Sequence, residues 1–122
     1  MDRRFFAIGA ASAFLGVMAG AFGAHALGAL VAASHLAIWE TAARYQIIHA
    51  LALLAVGWAA ERWPGRLIEA AGWLFVVGTV CFSGSLHLMA LTGAGWLGPV
   101  TPLGGLAFLG GWGCLVWGSL RA

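Results

Sequence analysis

Charge is what this sequence has least of. Asp, Glu, Lys and Arg make up 8% of its 122 residues, where a soluble domain carries about a quarter. A chain that is 62% hydrophobic, with a mean hydropathy of +0.95, lacks the surface needed to stay in water. Soluble classes are excluded, and the length suits one membrane domain spanning residues 1–122. The net charge of +2 rests on scattered arginines, which argues against a nucleic-acid partner. Cysteine is nearly missing too. Cys81 and Cys114 lie in apolar runs without CxxC spacing, so they read as free thiols packed as small hydrophobes. There is no HExxH and no nucleophile with a base at helical spacing. Two acids near the bilayer, Glu40 and Glu69, fall on opposite sides of it. These absences weigh against an enzyme acting on a lipid or quinone, and nothing calls for a cofactor.

What the chain does have is long apolar runs. The first, about residues 5–24, comes after Asp2, Arg3 and Arg4. A signal peptide competes for this segment, with small-x-small sites at 19–21 and 24–26 and a faint twin-arginine look in Arg3-Arg4-Phe5-Phe6. The run is long for a signal, and the rest of the chain is itself apolar, so an uncleaved span is expected. A second span over 41–60 ends before the charged turn Glu61-Arg62-Trp63-Pro64-Gly65-Arg66. A third covers 70–92. The fourth covers 101–120, with Thr101 as N-cap and Pro102 at the first helical position. The expected fold is an all-α membrane protein, a four-transmembrane-helix bundle.

Arginine orients it. Arg3, Arg4, Arg62, Arg66 and Arg121 fall at one set of helix ends and Arg44 at the other. The positive-inside rule then places both termini in the cytoplasm, N-in and C-in. Trp63 and Trp73 on that side, and Trp39 and Trp96 on the other, suit interfacial belts. Glycine supplies packing: Gly9, Ala13, Gly16, Gly20 and Ala24 form a small-residue stripe, and Gly104, Gly111 and Gly118 recur every seven residues. Such stripes serve tight internal contacts, the favoured reading, or a dimerisation surface.

Polar side chains gather toward the outer half. Measured from the arginine ends at 1.5 Å per residue, Thr79 and His49 reach about 14 and 16 Å, near the midplane. Ser83, Tyr45, Arg44 and His87 come next at about 20 to 25 Å, and His25, Glu40 and Thr101 at about 30 Å. Thr41, Tyr45 and His49 share one face of the second helix at i, i+4, i+8. Thr79, Ser83 and His87 make the matching stripe on the third, and the two are expected to hydrogen-bond along their length. Glu40 and Arg44 are placed to close the outer end as an interfacial i, i+4 pair. The candidate cluster comprises His25, Glu40, Thr41, Arg44, Tyr45, Gln46, His49, Thr79, Ser83, Ser85, His87 and Thr101. His25, His49, His87 and Glu40 spread over about 14 Å of depth and cannot share one metal, though His25 and His87 alone could. A faint echo between Phe22-Gly23-Ala24-His25 and Phe82-Ser83-Gly84-Ser85-Leu86-His87 is too irregular for a repeat.

Taken in order, several segments resemble one family. They are Gly20-Ala21-Phe22-Gly23-Ala24-His25-Ala26-Leu27, Trp39-Glu40-Thr41, Tyr45-Gln46, His49-Ala50-Leu51, Phe82-Ser83-Gly84-Ser85 and Val100-Thr101-Pro102-Leu103-Gly104-Gly105. The family is domain-of-unknown-function family 423, small integral membrane proteins. The resemblance implies four helices and, in bacteria, the cytoplasmic membrane. It implies no activity, substrate, cofactor or residue role. Arg44 and His87 lie outside the segments that carry it.

Three functions are then open. The leading one is a structural or accessory membrane protein whose polar cluster fixes helix register, with the lipid bilayer as its surroundings and a homo-oligomer or membrane-protein partner allowed. The alternative is a small transporter, channel or proton- or metal-handling protein. That reading calls for an outward cavity lined by Tyr45, Gln46, His49, Ser83 and His87. A membrane enzyme is the third. His49 itself is read as a buried neutral imidazole, with a proton relay or metal ligand as the competing role.

Overall fold

The computed structural model describes residues 3–122, and Asp2 lies outside them. Four long helices succeed one another: α1 (Arg3–His25), α2 (Ala33–Arg62), α3 (Arg66–Thr92) and α4 (Val100–Arg121). Short 3₁₀ turns, Leu27–Ala29 and Gly95–Leu97, fill the connections at the end away from the arginines. All four helices are long and apolar enough to cross a membrane, and no strand occurs among the described residues.

The second helix starts eight residues before the expected Thr41. Counting back from Ala60 measured the hydrocarbon, not the helix. No glycine or proline lies between Ala32 and Val56 to stop it, so α2 runs on for 30 residues, about 45 Å and well beyond the apolar core of a bilayer. The third helix likewise starts at Arg66 rather than at 70. It ends at Gly93, whose φ of 70° is the left-handed cap that L side chains resist, and whose N–H reaches the Met89 carbonyl at 2.8 Å. Mid-helix, Thr79–Gly84 adopts a π turn.

α1 packs along α2, α4 packs along α3, and α2 lies against α3. α2 is the central element: eleven of its residues are buried inside the protein, against four on α1. Glycine sets both outer seams. A Cβ on Gly9, Gly16 or Gly23 would come within 2.9 Å of Leu53 Cβ, 2.8 Å of Ile47 or 2.8 Å of Trp39 on α2. On α4, Gly111 and Gly118 face Phe75 and Ile68, and Gly104 lies on the backbone of Phe82. The heptad on α4 is therefore internal. The stripe on α1 needs correction: Gly20 faces nothing within 4 Å, and the true seam is Gly9, Gly16, Gly23. A run of i+4 steps drifts by about 40° each time around a helix of 3.6 residues per turn, whereas a heptad drifts by only about 20°.

Two apolar clusters result. Phe5, Leu53, Val56, Ile68, Phe75 and Phe108 fill the half nearer the arginines. Leu27, Trp39 and Ala90 make a smaller one near the far end. Trp39, only 8% exposed, thus belongs to the core and not to an interfacial belt. Between these clusters lie the buried polar side chains Gln46, His49, Ser83 and Ser85.

Candidate functional site

α2 turns Ala42, Ala43, Gln46, His49, Ala50 and Leu53 inward, an i, i+3, i+4, i+7 arc in which alanines let neighbouring helices come close. This corrects the expected stripe. Tyr45 is 38% exposed, and Thr41 spends its hydroxyl on the Ala37 carbonyl of its own helix at 3.0 Å. Of the three, only His49 points in. Gln46, one residue on from Tyr45, takes the central role.

Gln46 spans two seams. Its amide Nε2 donates to the Ser12 carbonyl on α1 at 3.1 Å, and its Oε1 accepts from His87 Nε2 on α3 at 3.0 Å. The His87 ring meets Trp39 edge-on, with centroids 4.3 Å apart. Trp39 in turn donates its indole N–H to the Ala19 carbonyl of α1 at 2.7 Å.

His49 spans a third seam. Its ring stacks on Phe108 of α4, with centroids 3.5 Å apart and planes 6° from parallel. Nδ1 lies 2.8 Å from the Tyr45 carbonyl, and Nε2 lies 3.1 Å from the indole nitrogen of Trp112. A carbonyl can only accept and an indole N–H can only donate. Both bonds are satisfied by one species, the neutral imidazole with its proton on Nδ1. This favours the structural role over a relay, because a protonated ring has no lone pair left for Trp112.

Ser85 and Thr101 join α3 to α4. Their hydroxyls are 2.6 Å apart, and Ser85 also lies 3.0 Å from the Phe82 carbonyl. Thr101 is therefore not the N-cap: α4 begins at Val100 with Pro99 in the capping position, and the threonine faces a neighbour instead.

The stripe on α3 behaves differently. Thr79 Oγ1, Ser83 Oγ and His87 Nδ1 are buried with no hydrogen-bond partner among the described residues. Among the described residues the two expected stripes thus share no hydrogen bond; α2 and α3 are joined instead by His87 to Gln46, which lies beside the α2 stripe. Thr79 and Ser83 sit in the π turn, which widens the helix locally; π turns are frequent at functional sites.

Other candidates stand apart. His25 is exposed at the end of α1, and Glu40 and Arg44 are exposed and form no ion pair among the described residues. In water or headgroups such a pair contributes little, so nothing holds the two side chains together. An ion pair does form at the opposite end, Arg4 to Glu69 at 3.4 Å. Among the described residues no group of three His, Cys, Asp or Glu side chains is placed to hold a metal.

Trp112, Phe108 and the Ser12 carbonyl were not legible as site members. Trp112 had one signal: it lies about 17 Å into its span from Thr101, at a depth where belt tryptophans do not occur.

Over residues 19–105 the chain matches the family described as protein of unknown function (DUF423). It is 42% identical to a UPF0382 membrane protein of Staphylococcus saprophyticus over 117 residues, covering 96% of this chain and 97% of that one. It is 40% identical to the UPF0382 membrane protein YwdK of Bacillus subtilis, with 96% of each chain covered. A UPF0382 membrane protein of Staphylococcus epidermidis is 42% identical, with 96% and 95% covered. No solved structure matches. The matched segment includes Trp39, Gln46, His49, Ser85, His87 and Thr101, but not Ser12 or Trp112. With its four apolar helices and these relatives, the chain belongs to the DUF423 family and is an integral membrane protein of a family whose function is unknown.

Proposed function

We propose that the protein is a structural or accessory component of the cytoplasmic membrane, not an enzyme, whose buried polar layer fixes the register of its helices. One observation carries this reading: Gln46, His49, Trp39, His87, Trp112, Ser85 and Thr101 each make a hydrogen bond across a helix seam. Gln46 and Trp39 join α1 to α2, Gln46 and His87 join α2 to α3, Trp112 and His49 join α4 to α2, and Ser85 and Thr101 join α3 to α4. Close packing resists sliding through many weak contacts, and a directional hydrogen bond at a fixed height adds a specific preference for one register. Five of six arginines at one end support placing that end in the cytoplasm. His49→Leu and Gln46→Leu are each expected to destabilise the purified bundle by about 1–2 kcal/mol in detergent unfolding. An unchanged midpoint for both would count against the register role.

A second reading, passage of protons or small polar solutes, is favoured by the buried atoms of Thr79, Ser83 and His87 that have no partner among the described residues. Water is the natural partner for such atoms. Proteoliposomes containing the protein should then leak protons faster than empty ones, and His87→Leu should remove the excess. No excess over empty vesicles refutes this reading.

A further inference from the structure

We propose that the arginine end of the bundle binds an anionic phospholipid, with its phosphate at Arg66 and Arg121 and an acyl chain in the groove between α2 and α4. Two concave sites there adjoin. A mouth of about 270 Å³ is lined by Trp63, Pro64, Arg66, Ile68, Gly118 and Arg121. A groove of about 380 Å³ is walled by Trp58, Trp63, Ile68, Trp112, Leu115 and Val116. Trp63 and Ile68 line both, so the cationic mouth opens directly onto the apolar groove. Trp58 and Trp63 meet edge-on, with ring centroids 5.2 Å apart, and form its wall.

Length and charge identify the occupant. From Arg121 to Trp112 is nine residues along α4, about 14 Å. That is about half the hydrocarbon thickness, the depth of one leaflet's acyl chains. The groove therefore starts at headgroup level and closes near the midplane, where Trp112 turns its N–H to His49. At the mouth, Arg66 and Arg121 have no ion pair among the described residues; Arg121 lies over the Trp117 ring at 5.9 Å. Glu69, the nearest acid in sequence to Arg66, is bonded to Arg4. Arg62 and Glu61 line a separate hollow beside Trp58, and no acidic side chain lines the mouth itself. An apolar slot under two unpaired guanidinium groups matches a phosphate-headed lipid and not a detergent-like neutral chain.

The test uses the whole chain in vesicles of phosphatidylcholine, with either brominated phosphatidylglycerol or brominated phosphatidylcholine as quencher of tryptophan fluorescence. At low salt the wild type should bind the anionic lipid on the order of tenfold more tightly than the zwitterionic one, and the preference should shrink at high salt. The double variant Arg66→Gln/Arg121→Gln should lose the preference while quenching by phosphatidylcholine stays unchanged. Ala55→Leu, which adds bulk to the groove at a lipid-facing position, should weaken quenching by both lipids. Equal quenching of the wild type by the two lipids, or a preference that survives the double arginine variant, overturns the proposal. Circular dichroism and unfolding midpoints show that each variant is folded. These variants leave every bond of the polar layer in place, so this proposal and the register reading fail separately.

Discussion

The two halves of this bundle are built on different principles. Near the arginines, Phe5, Leu53, Val56, Ile68, Phe75 and Phe108 interlock with no polar atom among their side chains. In the other half, contacts pass through Gln46, His49, Ser85 and His87, and some polar atoms have no hydrogen-bond partner among the described residues. A membrane offers no hydrophobic gain for bringing helices together, so close fit must hold the first half and directional bonds the second. The aromatic half supplies adhesion, and the polar half supplies position.

Truncation should break that contrast most sharply. Phe75→Ala removes a ring that contacts His49 and Trp112 and fills the hollow over Gly111. It is expected to cost about 3–5 kcal/mol, more than any single polar substitution. Detergent unfolding compared with Gln46→Leu checks the order; a larger loss for the glutamine variant would reverse the assignment of roles.

Glycine sharpens the comparison at the seams. Gly104→Ala drives a methyl group into the Phe82 backbone, which cannot turn aside as a side chain can. Overpacking of about 1–3 kcal/mol is expected. Gly20→Ala, open on all sides, should leave stability within about 0.5 kcal/mol of the wild type. Equal effects would show that the seam lies elsewhere.

The smallest effect belongs to Ser85 and Thr101. A double-mutant cycle of Ser85→Ala and Thr101→Val should give a coupling of about 0.6 kcal/mol, typical of a hydrogen bond between membrane helices. Thr41→Ala, whose hydroxyl serves only its own helix, should show no coupling to either.

Particular residues show how far the sequence carries. The four spans, the heptad on α4 and the burial of His49 are consequences of apolar length, residue size and the cost of polarity in hydrocarbon. Tyr45 and Gln46 illustrate the limit. Adjacent on one helix, they differ by about 100° in direction, and the polar residues near them, Glu40, Thr41, Arg44 and His49, do not gather on one face. A soluble helix reveals its buried face by contrast with a charged one. Here lipid and protein core ask for the same residues, so that contrast disappears. Composition and arginine placement determined by themselves that this is a four-span membrane protein with one cationic end. Only packing decided which arc of α2 faces inward, that glycines 9, 16 and 23 form the seam, that α3 widens at Thr79–Gly84, and that Trp112 finds His49. Each of those depends on which neighbour arrives at a given height, and a chain that is apolar all round does not encode that locally.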